Sequence, residues 1–216
     1  KTILNVFLLT NRTYNTKIML KRPVMIYTEL SPNPNSMKFV LNFELAPDGL
    51  SFDYASKADT QDEKKASPLA ADLFQFPFVQ RVFIASNFIT ITKEEETMWE
   101  EVLVDVKKFL KIHFDEGHPV FAQKTIDTTS VIVDANDTPV VAKIKATLDQ
   151  YVRPAVESDG GAINFASFDE ASGLVTVHLQ GSCSGCPSST ITLKNGIERL
   201  LTTMIPEVKE VTAEGL

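Results

Sequence analysis

Gly181-Ser182-Cys183-Ser184-Gly185-Cys186-Pro187-Ser188-Ser189 holds the only two cysteines of a 216-residue chain, three positions apart. Before it runs Leu174-Val175-Thr176-Val177-His178-Leu179-Gln180, rich in β-formers. After it Ile191, Leu193, Ile197, Leu200, Leu201 and Met204 recur mostly at helical spacing. The thiols therefore fall in a strand-to-helix loop, with Pro187 suited to the first helical position, where its missing N–H costs nothing. The first N–H groups of a helix lack partners and form its positive end, which favours thiolate, so lowered thiol pKa values on an open loop are expected. Gly181, Ser182, Ser184 and Gly185 are small and let backbone amides approach sulfur. Two soft, ionised sulfurs suit iron or zinc.

Working outward, Ala162 to Phe168 and Leu174 to Gln180 read as two strands about a turn at Ser172-Gly173, and Asp159-Gly160-Gly161 turns the chain before them. Pro139 opens a helix whose apolar face is Val141, Ile144, Leu148, Val152 and Val156, with Asp137 or Thr138 as cap. Val208, Val211 and Ala213 form a last short strand. The unit at residues 139–216 is thus αββαβ, with the thiols at one end of its sheet. Residues 115–138 carry Gly117, Pro119, a Thr-Thr-Ser run and Asp134-Ala135-Asn136-Asp137, and read as a flexible linker.

Residues 24–114 read as ββαββα. Val24 to Glu29 and Met37 to Phe43 are extended and flank a turn cluster, Ser31-Pro32-Asn33-Pro34-Asn35-Ser36. Ala55 to Lys65 is a polar loop. Ser67-Pro68 caps a short helix, and Val79 to Ile91 form a hairpin about Ser86-Asn87. Glu94, Glu95 and Glu96 bias a helix start, and Trp99, Val102, Leu103, Val106, Phe109, Leu110 and Phe114 supply its buried face. The expected fold class is α+β, two small sandwich-like units. Residues 1–23 form an extension with five basic residues and no acid, either a transit peptide or an upstream segment without a role.

A formal net charge of −7 argues against nucleic-acid binding, and no apolar run approaches a membrane span. Two closely spaced cysteines do not make a disulfide framework, which points to a reducing compartment: the cytoplasm, or the mitochondrial matrix if the extension is a transit peptide.

Asp159-Gly160-Gly161, the long motif from Leu179 to Ser189, and Leu193-Lys194-Asn195-Gly196-Ile197-Glu198 together resemble the NifU-like C-terminal domain of iron–sulfur scaffold and carrier proteins. Pro32-Asn33-Pro34-Asn35-Ser36-Met37-Lys38-Phe39, Ser67-Pro68-Leu69-Ala70 and Ser86-Asn87-Phe88-Ile89-Thr90-Ile91-Thr92-Lys93 look like the N-terminal domain of Nfu-type proteins. The resemblance implies that Cys183 and Cys186 bind a labile cluster, most often [4Fe–4S] with [2Fe–2S] as alternative, shared between the two chains of a homodimer. It also implies delivery to apo-protein clients and supply by upstream assembly factors. Ligand arithmetic agrees: a cubane normally takes four protein ligands, and two chains supply four.

The rival readings of Cys-x-x-Cys are a thiol–disulfide oxidoreductase and a zinc-bridged dimeric interaction module. No catalytic triad, phosphate-binding glycine loop or H-E-x-x-H pattern is present, so a carrier is expected rather than an enzyme. His178, Trp99 and Asp159 are read as packing or turn residues. The Pro-Asn-Pro-Asn-Ser segment is equally a turn or a client-docking surface.

Overall fold

The computed structural model describes residues 23–47, 49–122, 137–183 and 187–215, with the side chains of 187–190 and 215 excepted. Cys186, Asp48, residues 123–136 of the expected linker and nearly all of the basic extension lie outside the described residues.

In the N-terminal unit, β1 (Ile26–Leu30), β2 (Ser36–Leu41), β3 (Ser51–Tyr54), β4 (Val79–Ala85) and β5 (Phe88–Lys93) form an antiparallel sheet in the order β1-β2-β5-β4-β3. The unit therefore has one strand more than the expected ββαββα. β3 pairs with β4 through Ser51↔Ala85 to Tyr54↔Val82, and so short a segment depends on that pairing and on the burial of Phe52 and Tyr54. A 3-10 turn at Lys57–Gln61, inside the expected polar loop, and helices α1 (Pro68–Leu73) and α2 (Trp99–Asp115) complete it. Ser67 caps α1, its Oγ accepting from Ala70 N at 3.1 Å, as Ser-Pro implies. The helix α2 starts after the glutamate run, at Trp99, with Glu100 and Glu101 in its first turn.

One sheet face carries the main core. The row Phe39–Ile89–Ile84–Phe52 crosses β2, β5, β4 and β3 in register. It packs with Leu69, Leu73, Val106, Leu110 and Phe114 of the helices, each such side chain contributing roughly 1.5–3 kcal/mol by burial. Trp99 is core, edge-on to Phe39 at 6.3 Å. The start of the expected linker also belongs to this core. Phe121 is buried against Phe52 at 4.3 Å, Ala122 N donates to Ala66 O, and Ser67 Oγ donates to Val120 O. The apolar Val120-Phe121 pair is too small a signal to stand out in a polar stretch.

His113 is buried on α2, its Nε2 3.3 Å from Pro119 O. Burial pulls its pKa below the ordinary 6.5, against the Pro119 carbonyl, which favours the charged ring. The folded chain thus holds this proton less tightly than the unfolded chain. Stability is full above the ordinary value and declines as pH falls through it toward the lowered one. Urea midpoints should drop between about pH 7.5 and about pH 5.5, and His113→Phe should flatten that drop.

In the C-terminal unit, α3 (Pro139–Thr147), a π-turn at Leu148–Val152 and α4 (Arg153–Ser158) replace the single helix expected. Two features account for the break. Pro154 has no N–H for the carbonyl one turn back. The buried residues Ile144, Leu148, Val152 and Val156 recur every fourth position, which drifts about 40° per step on an ideal α-helix, and a wider turn brings them back to one side. The strands β6 (Gly161–Asp169) and β7 (Leu174–Gly181) pair antiparallel, and β8 (Glu210–Gly215) runs parallel to β7 after α5 (Pro187–Met204). Thr138 caps α3, its Oγ1 accepting from Val141 N at 3.4 Å. Among the described residues no helix is long and apolar enough to cross a membrane.

Candidate functional site

The cysteine loop leaves the C-terminal end of β7 and enters α5 at Pro187, the position expected of it. Parallel pairing of β7 and β8 requires a crossover, and the loop is where that crossover begins. Gly181 ends β7 at φ +67, a conformation glycine adopts without cost.

Cys183 lies beneath the surface, 7% exposed, in the core of the C-terminal unit with Val177, Leu179, Ile197 and Leu201. Gly161 makes the room. A Cβ there would stand 2.9 Å from Cys183 Sγ and 2.6 Å from the Gln180 carbonyl oxygen. Ser182 straps the loop to the preceding turn: its Oγ donates to Asp159 O at 2.6 Å and its N–H to Gly160 O at 3.2 Å. The Asp159-Gly160-Gly161 turn thus has a role its turn chemistry did not reveal, as the floor under the first thiol. The glycine pair was the available signal, since neither position tolerates a side chain.

Two expectations are corrected. Cys183 is not on an open loop, and its pKa is not lowered. Burial pushes the thiol up from its ordinary 9.0, the Ser182 hydroxyl pulls the other way, and the Asp159 carboxylate adds to the rise. Cys183 lies four residues before α5 begins, beyond the turn where the helix end favours anions. The folded chain holds this proton more tightly than the unfolded chain. Stability is therefore full below 9.0 and is lost as pH rises through the raised value. Iodoacetamide alkylation of Cys183, followed by mass spectrometry, should keep accelerating above pH 9.0, where an exposed thiol levels off.

His178 Nε2 stands 3.4 Å from Glu214 Oε2, a cross-strand pair on β7 and β8 and not part of the loop. Among the described residues no three His, Cys, Asp or Glu side chains gather closely enough to hold a metal ion. Ile191, on the first turns of α5, is 60% exposed beside the loop.

A residue not singled out in the sequence also reaches the site. Asp53 of β3 accepts from Gly181 N at 3.1 Å and from Arg81 Nη1 at 2.8 Å through the same oxygen, Oδ2. Burial pushes its carboxyl up from the ordinary 3.8, with Arg81, the Gly181 N–H and Lys65 pulling it down without cancelling the rise.

A five-stranded α+β unit, followed by an αββαβ unit with paired cysteines at a strand-to-helix crossover, defines a class. Residues 26–117 match the family described as scaffold protein Nfu/NifU N terminal, and residues 144–212 match the NifU-like domain. The chain belongs to the Nfu/NifU family. It is 40% identical over 194 residues to the NFU1 iron-sulfur cluster scaffold homolog, mitochondrial, of Drosophila willistoni, covering 90% of this chain and 65% of that protein. NifU-like protein 4, mitochondrial, of Arabidopsis thaliana is 35% identical over 197 residues, which cover 90% of this chain and 67% of the plant protein. A solution structure of a NifU-like protein from Saccharomyces cerevisiae, at 25% identity, covers 48% of this chain and 89% of its own, with a TM-score of 0.41.

Proposed function

We propose that this chain is a non-catalytic carrier of a labile iron–sulfur cluster. Cys183 and Cys186 of two chains ligate the cluster, and it passes from them to apo-proteins. The observation that carries the reading is the placement of Cys183 on a glycine floor at the start of a crossover loop, in a chain with only one other cysteine. One chain cannot ligate a cubane alone with thiolates, so two chains together provide the four. The relatives' names speak for the same cargo: the Drosophila protein is called an iron-sulfur cluster scaffold. A disulfide oxidoreductase needs an exposed, acidified thiol as nucleophile, and Cys183 is neither exposed nor acidified.

The cluster is cargo, so loose ownership is an advantage. Ligation requires each thiol to lose its proton, which burial of Cys183 opposes. The names of the Drosophila and Arabidopsis relatives carry the word mitochondrial, and the acid-free basic stretch at residues 1–23 has the composition of an import leader. The matrix is therefore the compartment this reading adopts over the cytoplasm. Anaerobic reconstitution with ferrous iron and sulfide is the test. About two irons per chain, with dimerisation, support a bridging [4Fe–4S] cluster, and about one supports [2Fe–2S]. A colourless, monomeric product overturns the reading.

A further inference from the structure

The second face of the N-terminal sheet is where an unassigned role lies. The row Glu29–Lys38–Thr90–Phe83–Asp53 crosses all five strands in register, on the side away from α1 and α2. Such a face would ordinarily meet water. Here Lys38, Thr90, Phe83 and Asp53 are all buried.

What buries them is the cysteine-bearing end of the C-terminal unit. Thr90 Oγ1 donates to Gly160 O at 2.7 Å, and Lys38 Nζ donates to Ser158 O at 3.3 Å, so both hold the turn under the thiol. Asp53 holds Gly181 N, and Asn33 Nδ2 donates to Ser182 O at 3.4 Å. These last two bonds grip the backbone on either side of Ser182, immediately before Cys183. Phe83, Ala85 and Phe88 pack on Ala162, and a Cβ at Gly181 would stand 2.9 Å from the Phe83 ring. The Pro-Asn-Pro-Asn-Ser segment thus supplies, through Asn33, a contact to the cysteine loop of its own chain.

We propose that the N-terminal unit is a clamp on the thiol loop: docked, it holds Gly160, Gly181 and Ser182 in the arrangement that buries Cys183, and undocking releases the loop so that the thiol turns outward. The bonds fix both layers that enclose the sulfur, the glycine turn and the end of β7. Rotation of the Ser182–Cys183 peptide breaks the Asn33 contact, and release of the end of β7 breaks the Asp53 contact to Gly181 N. Access to Cys183 is then set by the docking equilibrium, whatever the thiol carries.

The test measures the maleimide reaction of Cys183 in the full, iron-free chain, with fragmentation mass spectrometry separating it from Cys186. A thiol that reacts only when open reports the open population, and loss of one hydrogen bond raises that population about 5-fold, more when the partner is charged. Thr90→Val keeps shape and removes the bond to Gly160, so Cys183 should react about 5-fold faster. Asp53→Ala should give about 10-fold or more. Far-UV circular dichroism checks that each variant is folded. If Asp53→Ala unfolds, Thr90→Val decides. A Thr90→Val rate within about twofold of the parent chain overturns the clamp. Because iron plays no part in the readout, a colourless reconstitution would overturn the proposed cargo while leaving this result standing.

Discussion

Cys183→Ser and Cys186→Ser are each expected to reduce bound iron after reconstitution from about two atoms per chain to none. In a bridged dimer one substitution removes two of the four thiolates at once, and a serine hydroxyl is a hard, weakly acidic donor that does not replace a soft thiolate for iron. The Cys183 variant should show a second effect. Cys183 is core, so a hydroxyl in its place leaves a polar group among Val177, Leu179 and Ile197, at a cost of roughly 1–3 kcal/mol. Ser182 Oγ, 3.8 Å from the sulfur, offers some compensation. Iron and acid-labile sulfide per chain, with sedimentation of the reconstituted protein, measure the first effect, and urea unfolding measures the second. Retention of a full cluster by either variant would refute the shared-ligand scheme.

Gly161→Ala is expected to lower stability sharply without replacing either cysteine. Its Cβ would stand 2.6 Å from a backbone carbonyl, which cannot swing aside, and 2.9 Å from Cys183 Sγ. Gly161 pairs with Gly181 and Ala162 with Gln180, so relief requires the ends of β6 and β7 to part. Overpacking of this kind costs about 1–3 kcal/mol, and it would displace the sulfur from its pocket. Gly196→Ala is the control. It lies within α5 with nothing within 4 Å of a Cβ, so the same change there should stabilise by about 0.5–1 kcal/mol. Thermal unfolding distinguishes the pair. Equal midpoints would mean that the glycine floor has no steric role.

Much of this architecture could be read directly. The caps at Ser67 and Thr138, the hairpin about Ser86-Asn87 and the start of α5 at Pro187 rest on interactions between near neighbours in the chain, and the stripe on α2 on the helical period of its side chains. The strand β3 is not legible in the sequence although Ser51-Phe52-Asp53-Tyr54 alternates, because four residues are too few to separate from a loop. Val82-Phe83-Ile84-Ala85 and Phe88-Ile89-Thr90-Ile91 are continuous apolar or buried runs where a one-sided sheet would alternate. Such runs mean that both faces are covered.

Composition and spacing alone determined that there are two α+β units, that the paired thiols stand between a strand and a helix, and that the sequence holds no catalytic triad, phosphate-binding glycine loop or H-E-x-x-H pattern. Those features depend on turn chemistry, capping and side-chain period, all local. Tertiary structure alone decided that Cys183 is buried with its proton held tightly, and that the N-terminal sheet grips the thiol loop. The residues around Cys183 come from β7, α5 and the Gly161 turn, and the bonds that grip its loop join residues 70 to 149 positions apart, so neither set is paired by any local pattern.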